Sequence, residues 1–316
     1  MSNELPIITV TLNPAIDQTL RFKRFTPGSV NRVESSERYA AGKGVNVAAM
    51  LADLGMAAVT TGFLGFGNAQ IFQQLFLNKK LEDKFVRVLG DTRLGIKITD
   101  ESSGQTTDIN FPGLQLPPTA GEDLMKRLAA LVQVGQWVVL AGSVPPGLPN
   151  SIYAELCAIV HSRGGQVVLD TSGLPLKLAL QAAPEVAKPN FIELAELIDS
   201  DMPETADVVN AARQALLARG VKLAVVSMGE DGAVFVTAEQ AVRAIAPRVN
   251  VISTVGAGDA MVAGLVYSLS KQLPLRDAAT LATALGTYAV TRVGNGLHEP
   301  DAYKAYLNDV RVEVIG

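Results

Sequence analysis

The segment TVGAGDAMVAG, residues 254–264, sets a carboxylate, Asp259, behind two glycines and ahead of an apolar run. If a helix begins here, the amides of Gly256, Ala257, Gly258 and Asp259 have no intrahelical acceptor and point beyond the helix end. Those amides and the helix dipole make an anion site, and the glycines let the backbone approach a bound phosphoryl group closely. Asp259, in the first turn and held ionised by the same field, is then placed to take the proton of a hydroxyl that attacks phosphorus. Taken alone, the pattern is better described as an aspartate capping a helix after a glycine turn, and the rest of the chain must decide.

A second stretch, KPNFIE at residues 188–193, puts Lys188 and Asn190 at a strand end and Glu193 on the first helical turn beyond it. An amide and a carboxylate three residues apart share a face and can orient the water shell of a magnesium ion, which keeps several waters. The same spacing is that of an N-terminal capping box, and one role does not exclude the other. Two familiar phosphate motifs are missing: AGKGVNV has no Ser or Thr after its lysine, and GAGDAM has no third glycine for a dinucleotide fingerprint. GFLGFG, residues 62–67, has the wrong glycine spacing and reads as a strand-to-helix turn.

The elements that must hold these groups follow from hydrophobic patterning. LPIITVTL (5–12) reads as a buried strand ended by Asn13 and Pro14, and GVNVAAMLADLG (44–55) as a helix closed by Gly55. WVVLAGS (137–143) precedes a helix from Asn150, QVVLDTSG (166–173) precedes another, and KLAVVSMG (222–229) leads to a further strand, GAVFV (232–236). Apolar strands alternating with amphipathic helices imply an α/β body whose mostly parallel sheet is covered on both faces. Two stretches break the rhythm. Residues 15–41 and 92–111 alternate polar and apolar residues, as in LGIKIT and TTDINF around a turn at ESSGQ. They predict half-exposed antiparallel strands that meet as a small discontinuous β lid, or two surface hairpins; the body is then 1–14, 42–91 and 112–316.

Composition bounds the partners. The 316 residues are 48% hydrophobic and 18% charged, enough for a substantial core. With 27 Lys+Arg against 31 Asp+Glu, a net charge of −4 and no basic run, a nucleic-acid surface is not expected. One cysteine, Cys157, makes no internal disulfide, and His161 and His298 make no zinc site by themselves. The N-terminal MSNELPIITV lacks a signal-peptide pattern, and no run nears the ~18 apolar residues of a membrane span. The expectation is a cytoplasmic protein with no membrane partner.

TLNPAID, AAGKGVNVA, AGSVPPG, KPNFIE, SMGEDGA and TVGAGD occur in the order seen in the ribokinase-like sugar kinases of the phosphofructokinase B family, and this resemblance spans nearly the whole chain. TLNPAID, PGSVNRV, AAGKGVNVA and DTRLGIKITD are most similar to the branch holding 1-phosphofructokinases and tagatose-6-phosphate kinases. The resemblance implies a ribokinase-like three-layer α/β/α body with a β-sheet lid. It implies Asp259 as general base, with Gly256, Ala257 and Gly258 as the anion hole. Asn190 and Glu193 organise Mg²⁺ through water, and Lys188, Ser227, Gly229 and Gly232 lie along the ATP phosphates. The adenine pocket comes from residues 250–293, and a monovalent cation fits the family.

On the acceptor side the resemblance implies that Asp17, Gly42, Gly44 and Asn46 hold sugar hydroxyls, with Ser143 adding a contact. Lys43 and Arg93 bind a phosphate already on the substrate, Arg93 reaching from the lid; Asn31 and Arg32 are further candidates, and Arg32 equally suits a solvated strand face. The branch usually carries asparagine where Gly95 stands and serine where Ala260 stands, so a lid or sugar contact is in question while the chemistry is not. The expected reaction is ATP-dependent phosphorylation of fructose 1-phosphate to fructose 1,6-bisphosphate. Alternatives are a tagatose-6-phosphate or 6-phosphofructokinase, and a catalytically silent sugar-phosphate sensor; a dinucleotide-binding oxidoreductase lacks its fingerprint. Exposed lid edges, with the resemblance, imply a homodimer through the lid.

Overall fold

The run IITVT forms the strand Ile7–Thr11, buried along its whole length. A strand covered on both faces needs apolar residues at every position. The structure, a computed structural model, describes residues 5–200, 205–294 and 296–316. Ile7–Thr11 sits inside a large sheet between Ala58–Gly65 and Trp137–Ala141, both parallel to it. Gln166–Asp170, Val186–Ala187 and Leu223–Ser227 continue the parallel array. Beyond them Ala233–Val236, Ala241–Ile245 and Arg311–Val314 add antiparallel strands at one edge.

Period-two alternation sends successive residues to opposite layers. Ile8, Val10, Val138, Leu140, Val167 and Leu169 pack with Leu124, Leu128, Leu156, Val160 and Leu194 from helices on one face. Ile7, Val139, Ala141 and Val168 pack on the other face with Val47, Leu51, Val262, Leu265 and Leu285. That second layer holds the helices Lys43–Asp53, Ala257–Ser270 and Leu275–Val290. The body is therefore three layers, helix, sheet and helix, as expected.

A separate sheet has the order Ser35–Ala41, Ala15–Phe22, Arg93–Asp100, Gln105–Asn110. Its outer pairs are antiparallel, but the central pair, Ala15–Phe22 with Arg93–Asp100, is parallel, which corrects the all-antiparallel expectation. The two central strands leave the body after Ile7–Thr11 and Val86–Val88, each of which already runs parallel to Ala58–Gly65, so they emerge in the same direction. Ile16 and Ala40 bury one face of this sheet against Val45, Ala48 and Phe72. Gln105–Asn110 is exposed throughout. Among the described residues no helix is long and apolar enough to cross a membrane.

Candidate active site

Ligands of open α/β sheets sit beyond the carboxyl ends of the parallel strands. At that edge the helix Ala257–Ser270 starts from Gly256, whose φ of 82° is left-handed and open to glycine at little cost. Its first-turn amides are left for an external acceptor. A Cβ on Gly258 would lie 3.4 Å from Lys188 Nζ, so that ammonium stands beside the amide end. Asp259 follows, 7% exposed, and Asn46 Nδ2 donates to its Oδ2 at 2.7 Å. Burial pushes the Asp259 carboxyl up to about 6, Asp170 adding to the rise and Lys43, Asn46 and Lys188 opposing it. Desolvation is the largest of these causes.

Asp170 is the group that sequence reasoning passed over. It ends the strand Gln166–Asp170, is fully buried, and its Oδ1 receives Lys43 Nζ at 3.0 Å and Lys188 Nζ at 3.3 Å. Burial alone would raise its pKa, but Lys188 and Lys43 outweigh it and hold the carboxyl below the usual range. Lys43 in turn is held above the usual lysine range: burial lowers it, and Asp170, Asp259 and Glu193 more than offset that. The available signal was a carboxylate directly after an apolar run in QVVLDTSG.

Asn190 and Glu193 make a full capping box on the helix Phe191–Ile198: Glu193 N–H donates to Asn190 Oδ1 at 2.8 Å, and Asn190 N–H donates to Glu193 Oε2 at 2.7 Å. A hard divalent cation needs oxygen donors and keeps much of its water. The donor set fits one: Asp170 Oδ2 is buried without a partner, and Glu193 acts electrostatically on the same Lys43. No group of three His, Cys, Asp or Glu side chains that could hold a metal occurs among the described residues, so water must complete the shell. Ser227 bridges to Asn190 at the next strand end, and Gly229 and Gly232 form the following turn. A Cβ on Gly232 would lie 1.9 Å from Ala244 O, so this turn closes against the neighbouring strand only with glycine.

The second sheet brings up a further set. Asp17 Oδ2 receives Lys97 Nζ at 2.5 Å, and Gly95 lies opposite Asp17 in the parallel register. A Cβ on Gly95 would meet Asp17 Oδ1 at 2.7 Å, so the absence of a side chain there leaves this ion pair its room. Lys97 was not foreseen, although Arg93, Gly95 and Lys97 follow the two-residue period of one strand face. Gly42 and Gly44 let the helix Lys43–Asp53 abut the first strand: a Cβ on Gly44 would lie 2.4 Å from Thr11 Oγ1.

Arg93 has a pKa lowered by burial and partly restored by Asp17, an unpartnered buried Nε, and a 3.5 Å bond from Nη2 to Asn13 O. Ser143 is exposed and hydrogen-bonded to Asn13. Asn31 is not gathered here: its amide is spent in its own loop, accepting from Thr26 N–H and donating to Thr26 O and Ser29 O. Arg32 is exposed.

The family model described as pfkB family carbohydrate kinase matches residues 10–302. The chain is 46% identical over 297 residues to a 1-phosphofructokinase of Xanthomonas campestris pv. campestris, covering 92% of each chain. It is 43% identical to a 1-phosphofructokinase of Rhodobacter capsulatus, covering 98% of each. Phosphofructokinase-2 from Escherichia coli in complex with fructose-6-phosphate superposes with a TM-score of 0.89 at 26% identity, over 96% of this chain and 99% of that one.

Proposed function

The chain belongs to the pfkB family of carbohydrate kinases, and from that premise we propose that it moves the γ-phosphoryl group of ATP to the 6-hydroxyl of fructose 1-phosphate. The observation that carries this reading is the buried Asp259 at the first turn of Ala257–Ser270, held by Asn46 and faced by Lys43, Lys188 and Asp170. Phosphoryl transfer asks mainly for positioning and charge stabilisation, so one base and an array of donors suffice.

Asp259, with a pKa pushed up to about 6, is chiefly ionised at neutral pH yet basic enough to draw the proton from an attacking hydroxyl. The amides of Gly256, Ala257 and Gly258 face the migrating group, and Lys188 beside Gly258 adds a cation. Asp170 and Glu193 are the residues that would hold Mg²⁺, which supplies neutralisation of the ATP phosphates. Ser227, bridged to Asn190, with Gly229 and Gly232 makes the ATP-side turn. Asp17, Gly42, Gly44 and Asn46 take the sugar hydroxyls, while Lys43, Arg93 and Ser143 take the phosphate the sugar already carries.

Relatives at 37–46% identity named 1-phosphofructokinase favour fructose 1-phosphate, and the neighbour holding fructose-6-phosphate keeps a 6-phosphofructokinase as the second reading. A coupled ADP-release assay on fructose 1-phosphate, fructose 6-phosphate and tagatose 6-phosphate ranks them; no turnover on any of the three overturns the kinase reading and leaves a ligand-binding sensor.

The second sheet is the lid in this reading, and also the dimer contact. Ile109 in its outer strand, Phe111 just after that strand, and Val30 and Val33 in the loop between two of its strands are exposed apolar residues, and Gln105–Asn110 is an open edge. Sedimentation of the wild type against Phe111→Asp is the test: a wild-type monomer at working concentration removes the dimer.

A further inference from the structure

We infer that Asn13 is a positioning residue that fixes the direction of the Ser143 hydroxyl and so suits this site to a substrate already bearing a phosphate monoester. The inference rests on the kinase reading above. Asn13 stands between the body strand Ile7–Thr11 and the second-sheet strand Ala15–Phe22, and it touches two of the three groups assigned to the resident phosphate, Ser143 and Arg93. Its Nδ2 donates to Ser143 Oγ at 3.1 Å, and its backbone carbonyl accepts from Arg93 Nη2 at 3.5 Å.

A hydroxyl that accepts through a lone pair keeps its own proton to give. Ser143, engaged by an amide donor, therefore presents O–H outward. A phosphate dianion offers acceptors alone, so this polarity matches it, as does the buried and unpartnered Arg93 Nε. A neutral sugar hydroxyl can donate or accept and would not sense the difference.

The amide is enclosed at both ends, its nitrogen against Ser143. Its other end is covered by the segment after the second sheet: a Cβ on Gly113 would lie 2.4 Å from Asn13 Oδ1 and 3.0 Å from Pro145 Cβ. Glycine at 113 thus lets the chain close on the amide oxygen while the amide nitrogen meets Ser143. Side-chain placement is tied onward, because Tyr153 O–H and Thr171 O–H both donate to Gly142 O, at 2.9 and 2.8 Å, fixing the residue before Ser143.

Asn13→Asp is nearly isosteric and reverses the bond: the carboxylate accepts the Ser143 proton and leaves lone pairs facing the ligand. Steady-state kinetics on the full chain should show KM for fructose 1-phosphate raised about tenfold or more, with KM for ATP and kcat moving far less. Gly113→Ala, which adds no charge, should raise the same KM by crowding the amide. In a Ser143→Ala background the Asn13→Asp effect should largely disappear. An unchanged KM in Asn13→Asp, or an effect equally large without the Ser143 hydroxyl, overturns the role of Asn13. Wild-type turnover in the same series separates this outcome from failure of the kinase reading, since that failure leaves the wild type inactive on hexose phosphates.

Discussion

Asn46 and Asp259 lie 213 positions apart, yet the side-chain amide of Asn46 donates a 2.7 Å hydrogen bond to the Asp259 carboxylate. The bond ties the helix Lys43–Asp53 to the helix Ala257–Ser270 where the proposed sugar and phosphate sites meet. It favours the ionised acid, as Lys43 and Lys188 do, while burial and Asp170 disfavour it, so this amide is one of the groups that set the proton affinity of Asp259.

The kcat/KM profile of the wild type should therefore fall as pH drops through about 6, where Asp259 becomes protonated. Asn46→Leu removes the donor that favours the charged form, so the acid limb should move to higher pH. A limb that stays in place in the variant would detach Asn46 from the base; a pH series under sub-saturating sugar phosphate measures it.

Asp259→Asn should lower kcat by about 10²–10⁴-fold while sparing sugar-phosphate binding. It should also stabilise the fold. The folded pKa of Asp259 is raised above its unfolded value, so stability is lost as pH climbs from about 4 to about 6, and above that window the native state carries a penalty on the order of 3 kcal/mol. Thermal melts at neutral pH should show the variant above the wild type, with the gap closing near pH 4. Equal melting points at neutral pH would contradict the burial account.

Asp170→Asn leaves Lys43 and Lys188 with no carboxylate between them. Breaking one side of a buried pair costs roughly 3–5 kcal/mol, and Lys188 is almost wholly buried. The depressed pKa of Asp170 gives the opposite pH sign from Asp259: its stabilisation is present above the ordinary carboxylate range and is lost as pH falls through the folded value. Urea unfolding at neutral pH should show the loss, and activity should fall even at temperatures where the variant stays folded.

Gly95→Asn puts a Cβ 2.7 Å from Asp17 Oδ1, so the carboxylate that Lys97 holds by Oδ2 must shift. KM for the sugar phosphate should rise by about tenfold, with KM for ATP little changed, because a misplaced acceptor leaves sugar hydroxyls unpaired. Kinetics that match wild type would show that the second sheet yields at this point. Asn110 faces Gly95 in the register, and its Oδ1, 3.7 Å from that Cβ position, is in ordinary contact, so the strain falls on Asp17.

Much of the site was readable where its geometry is local. The helix start at Gly256, the capping box of Asn190 and Glu193, and the turn at Gly229 and Gly232 all depend on residues within a few positions of one another. Lys97 and Asp170 escaped because their significance comes from partners 80 positions away for Lys97, and 127 positions away for Asp170 with Lys43. Asn31 went the other way: its motif matched, but its own loop consumes its hydrogen bonds.

The sequence by itself determined the alternation of buried strands and amphipathic helices, the glycine-led helix end and the set of residue types suited to phosphoryl chemistry, since side-chain period and backbone freedom are properties of neighbouring residues. Tertiary structure decided the parallel joining of Ala15–Phe22 to Arg93–Asp100, the clamp of two lysines on Asp170, and the proton affinity of Asp259. Those features depend on how much water packing removes and which charges it leaves adjacent, and both are set by contacts between elements far apart in the chain.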